Sequence, residues 1–113
     1  MKTALGIAAV LMIGAGVPSV AAQDAAQVKK GQEVYTAQKC SMCHQVAGKG
    51  NKANPLDGVG AKLSADDIKE WIHDPVAATA KAKSTKKPPM PAKYKNLPAA
   101  DVDALVAYLQ SLK

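Results

Sequence analysis

Arginine and phenylalanine are both missing from this 113-residue chain, and cysteine occurs only twice. Each shortage excludes something. Without arginine, no Arg-lined helix can read nucleic acid. With one Trp and three Tyr as the only large rings (Trp71, Tyr35, Tyr94 and Tyr108), a small domain lacks part of its expected core, a deficit that a bulky apolar cofactor would fill. The two cysteines, Cys40 and Cys43, lie so close in sequence that a disulfide between them would close only a tiny loop and stabilise little. Strand-like alternation is also missing, as are internal repeats and any linker that would divide the chain.

What remains is a basic chain with a distinct start. All fifteen cations are lysines against nine carboxylates, for a net charge of +6. Such a surface calls for an anionic partner, and an acidic protein met by long-range steering fits better than nucleic acid. Residues 1–22 have the layout of a secretory leader: Lys2, an apolar run from Leu5 to Val17, then small residues ending at Ala22. The run is about thirteen residues, short of the roughly 20 that a spanning helix needs. Cleavage after Ala22 is expected, leaving one exported domain over 23–113; a retained anchor is the alternative. The leader has no cysteine, which argues against a lipid anchor.

The exported part reads as all-α. Asp24 can cap a helix over 25–39 whose inner face carries Val28, Gly31, Val34 and Tyr35. Gly31 inside a helix costs about 1 kcal/mol relative to Ala, which a close helix–helix crossing would explain. Residues 45–60 read as a long loop. Ser64 and Asp67 form a capping-box pattern for a helix with Ile68, Trp71 and Ile72 inward, stopped by Pro75. Residues 76–96 read as an extended loop. A last helix starts near Pro98 and runs to the C-terminus, with Val102, Leu105, Val106, Leu109 and Leu112 as its apolar stripe.

The stretch KCSMCH, residues 39–44, carries the chemistry. Cys-x-x-Cys-His is the spacing of covalent c-type haem attachment, in which two thiols one turn apart add to the two porphyrin vinyls and the next residue turns its imidazole to the iron. His44 would then be the proximal ligand, its other ring nitrogen held by an acceptor. A redox dithiol would need surrounding strands. A structural zinc would have to use Cys40, Cys43, His44 and His73, straining the tetrahedron at adjacent residues. For the far side of the iron the candidates are Met42, Met90 and His73. Met42 lies between the attachment cysteines, and His73 ends a helix. Met90 stands among Pro88, Pro89 and Pro91, where a rigid loop suits a thioether held at fixed distance. Met90 is the expected ligand, with His73 or an open position as alternatives.

In these segments, and in NPLDGVG, WIHDP, KPPMP and LPAADVDALVAYLQSLK, which follow in order through nearly the whole exported chain, the sequence resembles the class I cytochromes c, in particular the small soluble bacterial ones. The resemblance implies the cytochrome c fold, with the first and last helices crossed beside one haem, so that Gly31 and Tyr35 meet Leu105, Tyr108 and Leu109. It implies that the Pro55 carbonyl accepts the His44 ring proton. It places Trp71 at a haem propionate or in the core, and Tyr94 over the Met90 side, one lysine away from the usual position. The expected function is one-electron transfer without catalysis or a small-molecule substrate, by a monomer in the periplasm. Acidic redox partners would dock at Lys39, Lys81, Lys83, Lys86 and Lys87, and a membrane would be met only through them. The alternatives are a haem subunit of a larger oxidoreductase or a gas sensor with a displaceable Met90; the absence of arginine leaves no distal His–Arg pair for peroxide chemistry.

Overall fold

The computed structural model describes residues 20–113, with side-chain surroundings from Ala25 onward. The expected leader lies outside the described residues except for its last three, which belong to the first helix. That helix, α1 (Val20–Ala37), runs past Asp24, so the aspartate is internal to the helix rather than its cap. It is followed by a 3₁₀ turn at Cys40–Met42, a two-residue hairpin of β1 (Gln45–Val46) and β2 (Lys49–Gly50), and the short α2 (Val59–Lys62). The helices α3 (Ala65–His73) and α4 (Pro75–Ala82), a second 3₁₀ turn at Ala92–Asn96 and α5 (Ala99–Gln110) complete the chain.

The α1–α5 crossing is the most extensive contact in the fold. An added Cβ on Gly31 would overlap the Ala104 carbonyl and stand 2.6 Å from Tyr108 Cβ, so only glycine lets the two backbones approach this closely. Four residues on, Tyr35 meets Tyr108 edge-on, with ring centroids 5.5 Å apart. Val102 is wholly buried, and Leu105 and Leu109 extend the same stripe, as the periodicity of α5 predicts.

α3 closes the core from the side. Its start is the expected capping box: Asp67 N–H donates to Ser64 Oγ (3.1 Å) and Ser64 N–H to Asp67 Oδ2 (3.3 Å). Ile68 and Ile72 are both buried, each contributing about 1.5–3 kcal/mol on removal from water. Trp71 is only half-buried, because its side chain reaches the cavity described below.

Two further expectations are corrected. Pro75 does not merely stop α3: it is the first residue of α4, whose other residues fall in the 76–96 stretch read as extended. Asp74 accepts from Ala77 N–H (3.1 Å), and proline at the first helical position gives up no hydrogen bond that the helix would have made. The alanine-rich VAATAKA then propagates readily. The 45–60 loop likewise holds a minimal antiparallel ladder, Gln45 opposite Gly50 and Val46 opposite Lys49, turned through Ala47 and Gly48, both at positive φ.

Candidate functional site

One end of the α1–α5 crossing opens into a cavity of about 290 Å³. Ile68, Trp71 and Ile72 of α3 with Leu105 and Leu109 of α5 form its apolar back, and Leu56 and Val59 its floor. Cys40, Cys43 and His44 stand on one wall. On another is the strap Pro88-Pro89-Met90-Pro91. The cysteine motif and Met90, far apart in sequence, thus share one chamber.

The motif wall is shaped by backbone chemistry. Lys39 takes the left-handed conformation (φ 57°) and breaks α1. The chain then tightens, and the Cys40 carbonyl accepts from both Cys43 N–H (3.1 Å) and His44 N–H (2.9 Å). The following loop folds back over the motif. Asn51 N–H lies 3.1 Å from the Ser41 carbonyl and 3.0 Å from that of His44. The Asn51 side chain donates to the Met42 carbonyl (3.3 Å) and the Asn54 side chain to that of Cys43 (3.0 Å). Gly50, at φ 103°, permits this approach: a Cβ there would overlap the His44 carbonyl. Asn51 and Asn54 are the residues that sequence reasoning missed. Its one available signal was two amides in a loop directly after the motif, which also read as ordinary turn formers.

His44 Nδ1 lies 3.2 Å from the Asn54 carbonyl, not from that of Pro55 as expected. Pro55 is paired with Gln45 in an isolated parallel bridge: Gln45 N–H donates to Asn54 O (3.1 Å) and Leu56 N–H to Gln45 O (2.8 Å). Successive carbonyls alternate in extended backbone, so Asn54 faces the motif and Pro55 faces away. A carbonyl can only accept, so Nδ1 carries the proton and Nε2 keeps its lone pair. Burial lowers the His44 pKa from its ordinary 6.5; the Asn54 carbonyl works against that shift and Lys86 adds to it. The imidazole is therefore biased to the neutral form that binds metals.

Burial pushes the Cys40 thiol up to about 11. A redox dithiol needs the opposite, a thiolate stabilised near neutral pH. Among the described residues no group of three or more His, Cys, Asp and Glu could hold a metal ion, and His73 is exposed and off the cavity wall. Met42 is 70% exposed. Of the candidates for a ligand opposite His44, only Met90 lines the chamber.

Pro55, Trp71 and Tyr94 all line the cavity. Tyr94 also reaches back to the residue after α1, its hydroxyl 3.5 Å from the Gln38 carbonyl. Tyr35 Oη is buried and, among the described residues, meets no hydrogen-bond partner. The five candidate docking lysines separate. Lys39 and Lys86 are on the cavity wall, Lys83 is the exposed left-handed cap of α4, and Lys87 is exposed. Lys81 is paired with Glu70 at 3.0 Å, which weakens it as a free rim charge.

Fold and cavity together define a small helical protein with an apolar chamber lined by cysteine, imidazole and thioether side chains. The sequence profile of the family described as Cytochrome c matches residues 28–113, and the chain belongs to that family. It is 30% identical over 93 residues to cytochrome c oxidase subunit 2 of Alkalihalophilus pseudofirmus; the match takes in 74% of this chain and spans only a quarter of that relative. No solved structure gives a significant match. A cytochrome c domain implies haem-based electron transfer between redox partners.

The residues present fit that group. An apolar chamber that opens to solvent leaves the side chains lining it in contact with water, and a broad apolar ring filling it would bury them. The donors fit as well: a neutral imidazole and a thioether are familiar axial partners of haem iron.

Proposed function

We propose that this protein is a one-electron carrier of the exported compartment, a periplasmic monomer over 23–113 with its leader removed. In this reading Cys40 and Cys43 hold one haem c through two thioethers, and His44 and Met90 fill the two axial positions. The observation that carries the reading is the convergence of all four side chains on one apolar cavity. When bound, the haem iron supplies reversible one-electron oxidation and reduction.

The chain's own residues do the rest. Asn54 orients the His44 ring and fixes its tautomer. Pro88, Pro89 and Pro91 stiffen the segment that presents the Met90 thioether. With both axial positions taken, no site is left for a substrate, and the chain has no arginine to assist one. The apolar walls exclude water and disfavour added positive charge, which together with a His/Met pair raises the reduction potential. Lys39 at the cavity, with exposed Lys83 and Lys87 beside lining residues in the sequence, offers a basic rim to acidic donors and acceptors, which speeds encounter more than it tightens binding.

An optical spectrum of the exported protein, oxidised and then reduced, with a carbon monoxide challenge, tests this. A sharp reduced α band, the near-infrared Met–iron band when oxidised and no response to carbon monoxide are expected. Met90→Ala should lose the near-infrared band and bind carbon monoxide with haem still attached; an unchanged spectrum would show Met90 to be the wrong ligand. A second reading, a haem subunit working within a larger oxidoreductase, is favoured by the similarity to an oxidase subunit. Stable co-purification with one enzyme would support it, and a freely diffusing monomer would not.

A further inference from the structure

The strap that carries Met90 has few ties to the rest of the fold. After α4 ends, Ser84 N–H still donates to the Thr79 carbonyl (3.1 Å). Of the seven residues from Thr85 to Pro91, three are prolines with no N–H to give. Lys86 N–H makes a local contact with Ser84 Oγ at 3.4 Å. Among the described residues, one hydrogen bond joins 85–91 to a distant element: Lys86 Nζ donates to the Ala53 carbonyl at 2.9 Å.

Its acceptor is well chosen. Ala53 N–H is itself held by Asn51 Oδ1 (3.0 Å). The next residue, Asn54, receives the His44 Nδ1 proton and donates to the Cys43 carbonyl. The ammonium thus links the Met90 wall of the cavity to the loop that orients His44, and Lys86 itself lines the cavity. We propose that Lys86 is a positioning residue, a latch that joins the two axial-ligand walls and holds the Met90 thioether in place. This role rests on the reading of His44 and Met90 as the axial ligands, and it goes beyond a place in the docking rim.

An incoming ligand can reach the iron only in the fraction of molecules whose strap has swung away, so its apparent affinity reports that fraction. Lys86 is exposed, so solvent screens the contact, and it is worth about threefold in such an equilibrium. The test is a titration of the oxidised holoprotein with imidazole, following loss of the near-infrared Met–iron band. The proteins compared are wild type, Lys86→Met, Lys86→Arg and Lys52→Met, the last removing an exposed charge from the loop that carries Ala53. Lys86→Met should bind imidazole about threefold more tightly than wild type, with haem attachment unchanged. Lys86→Arg, which can still donate, and Lys52→Met should stay near wild type. If Lys86→Met matches Lys52→Met while the wild type shows its Met–iron band, the latch is refuted and the ligand assignment stands. If the wild type lacks that band, the ligand assignment fails, and the latch fails with it.

Discussion

Gly31→Ala puts the whole architecture to the test with one methyl group. The new Cβ would stand 2.6 Å from both the Ala104 carbonyl carbon and Tyr108 Cβ. Ordinary carbon contacts are about 3.5–4.0 Å, so α1 and α5 must separate by about 1 Å. The obstacle is backbone and cannot rotate away, which places the overpacking at the upper end of its range, about 3 kcal/mol. Loosening the Tyr35–Tyr108 edge contact adds about 1 kcal/mol. The higher helix propensity of alanine returns about 1 kcal/mol. The net loss is about 3 kcal/mol, and for a domain of this size each kcal/mol moves Tm by about 4–8 °C, hence a fall of about 12–24 °C. Calorimetry of the purified holoprotein measures it directly. A Tm within about 3 °C of wild type would mean that the crossing is not as close as described, and the account of the glycine would be wrong.

The other expectations are briefer. Replacing Cys40 and Cys43 together with Ala should abolish covalent haem and with it most of the fold; an apo chain with full helical ellipticity would contradict the view that the cavity is filled by the group it holds. Ala47→Asn should stabilise by about 1 kcal/mol, because Ala47 sits at φ 50° beside Gly48 in the two-residue hairpin and asparagine tolerates that conformation; a lower denaturation midpoint would count against the hairpin. Burial raises the Tyr35 pKa from 10.0 to about 12. A raised folded-state pKa gives stability that is fully present below pH 10 and lost as pH rises through about 12. Tyr35→Phe should therefore flatten the loss of stability in that window, and identical alkaline profiles for the two proteins would disprove the assignment.

Much of this protein could be read without its fold because its signals are local. The capping box at Ser64 and Asp67, the stripe from Val102 to Leu109 and the attachment spacing of Cys40, Cys43 and His44 each depend on neighbours within a turn or two. Gly31 announced a close crossing because a glycine inside a helix demands an explanation. Local reading failed where one residue carries two opposite signals: Pro75 ends one helix and begins the next, and only Asp74, by capping α4, decides between them.

The long-range pairings had to come from the tertiary structure. Nothing in the residue types says that the Asn54 carbonyl rather than that of Pro55 meets His44, since that follows from which way an extended strand turns its carbonyls once bridged to Gln45. Nor does lysine type separate Lys86, bound to Ala53, from Lys81, bound to Glu70, and Lys83, exposed at the cap of α4. Sequence by itself determined the first, third and last helices, the motif and the chemistry the motif invites. Three-dimensional packing alone decided which groups face one another across the cavity, because side-chain periodicity sets the faces of an element while the meeting of distant loops depends on where their unpaired backbone groups find partners.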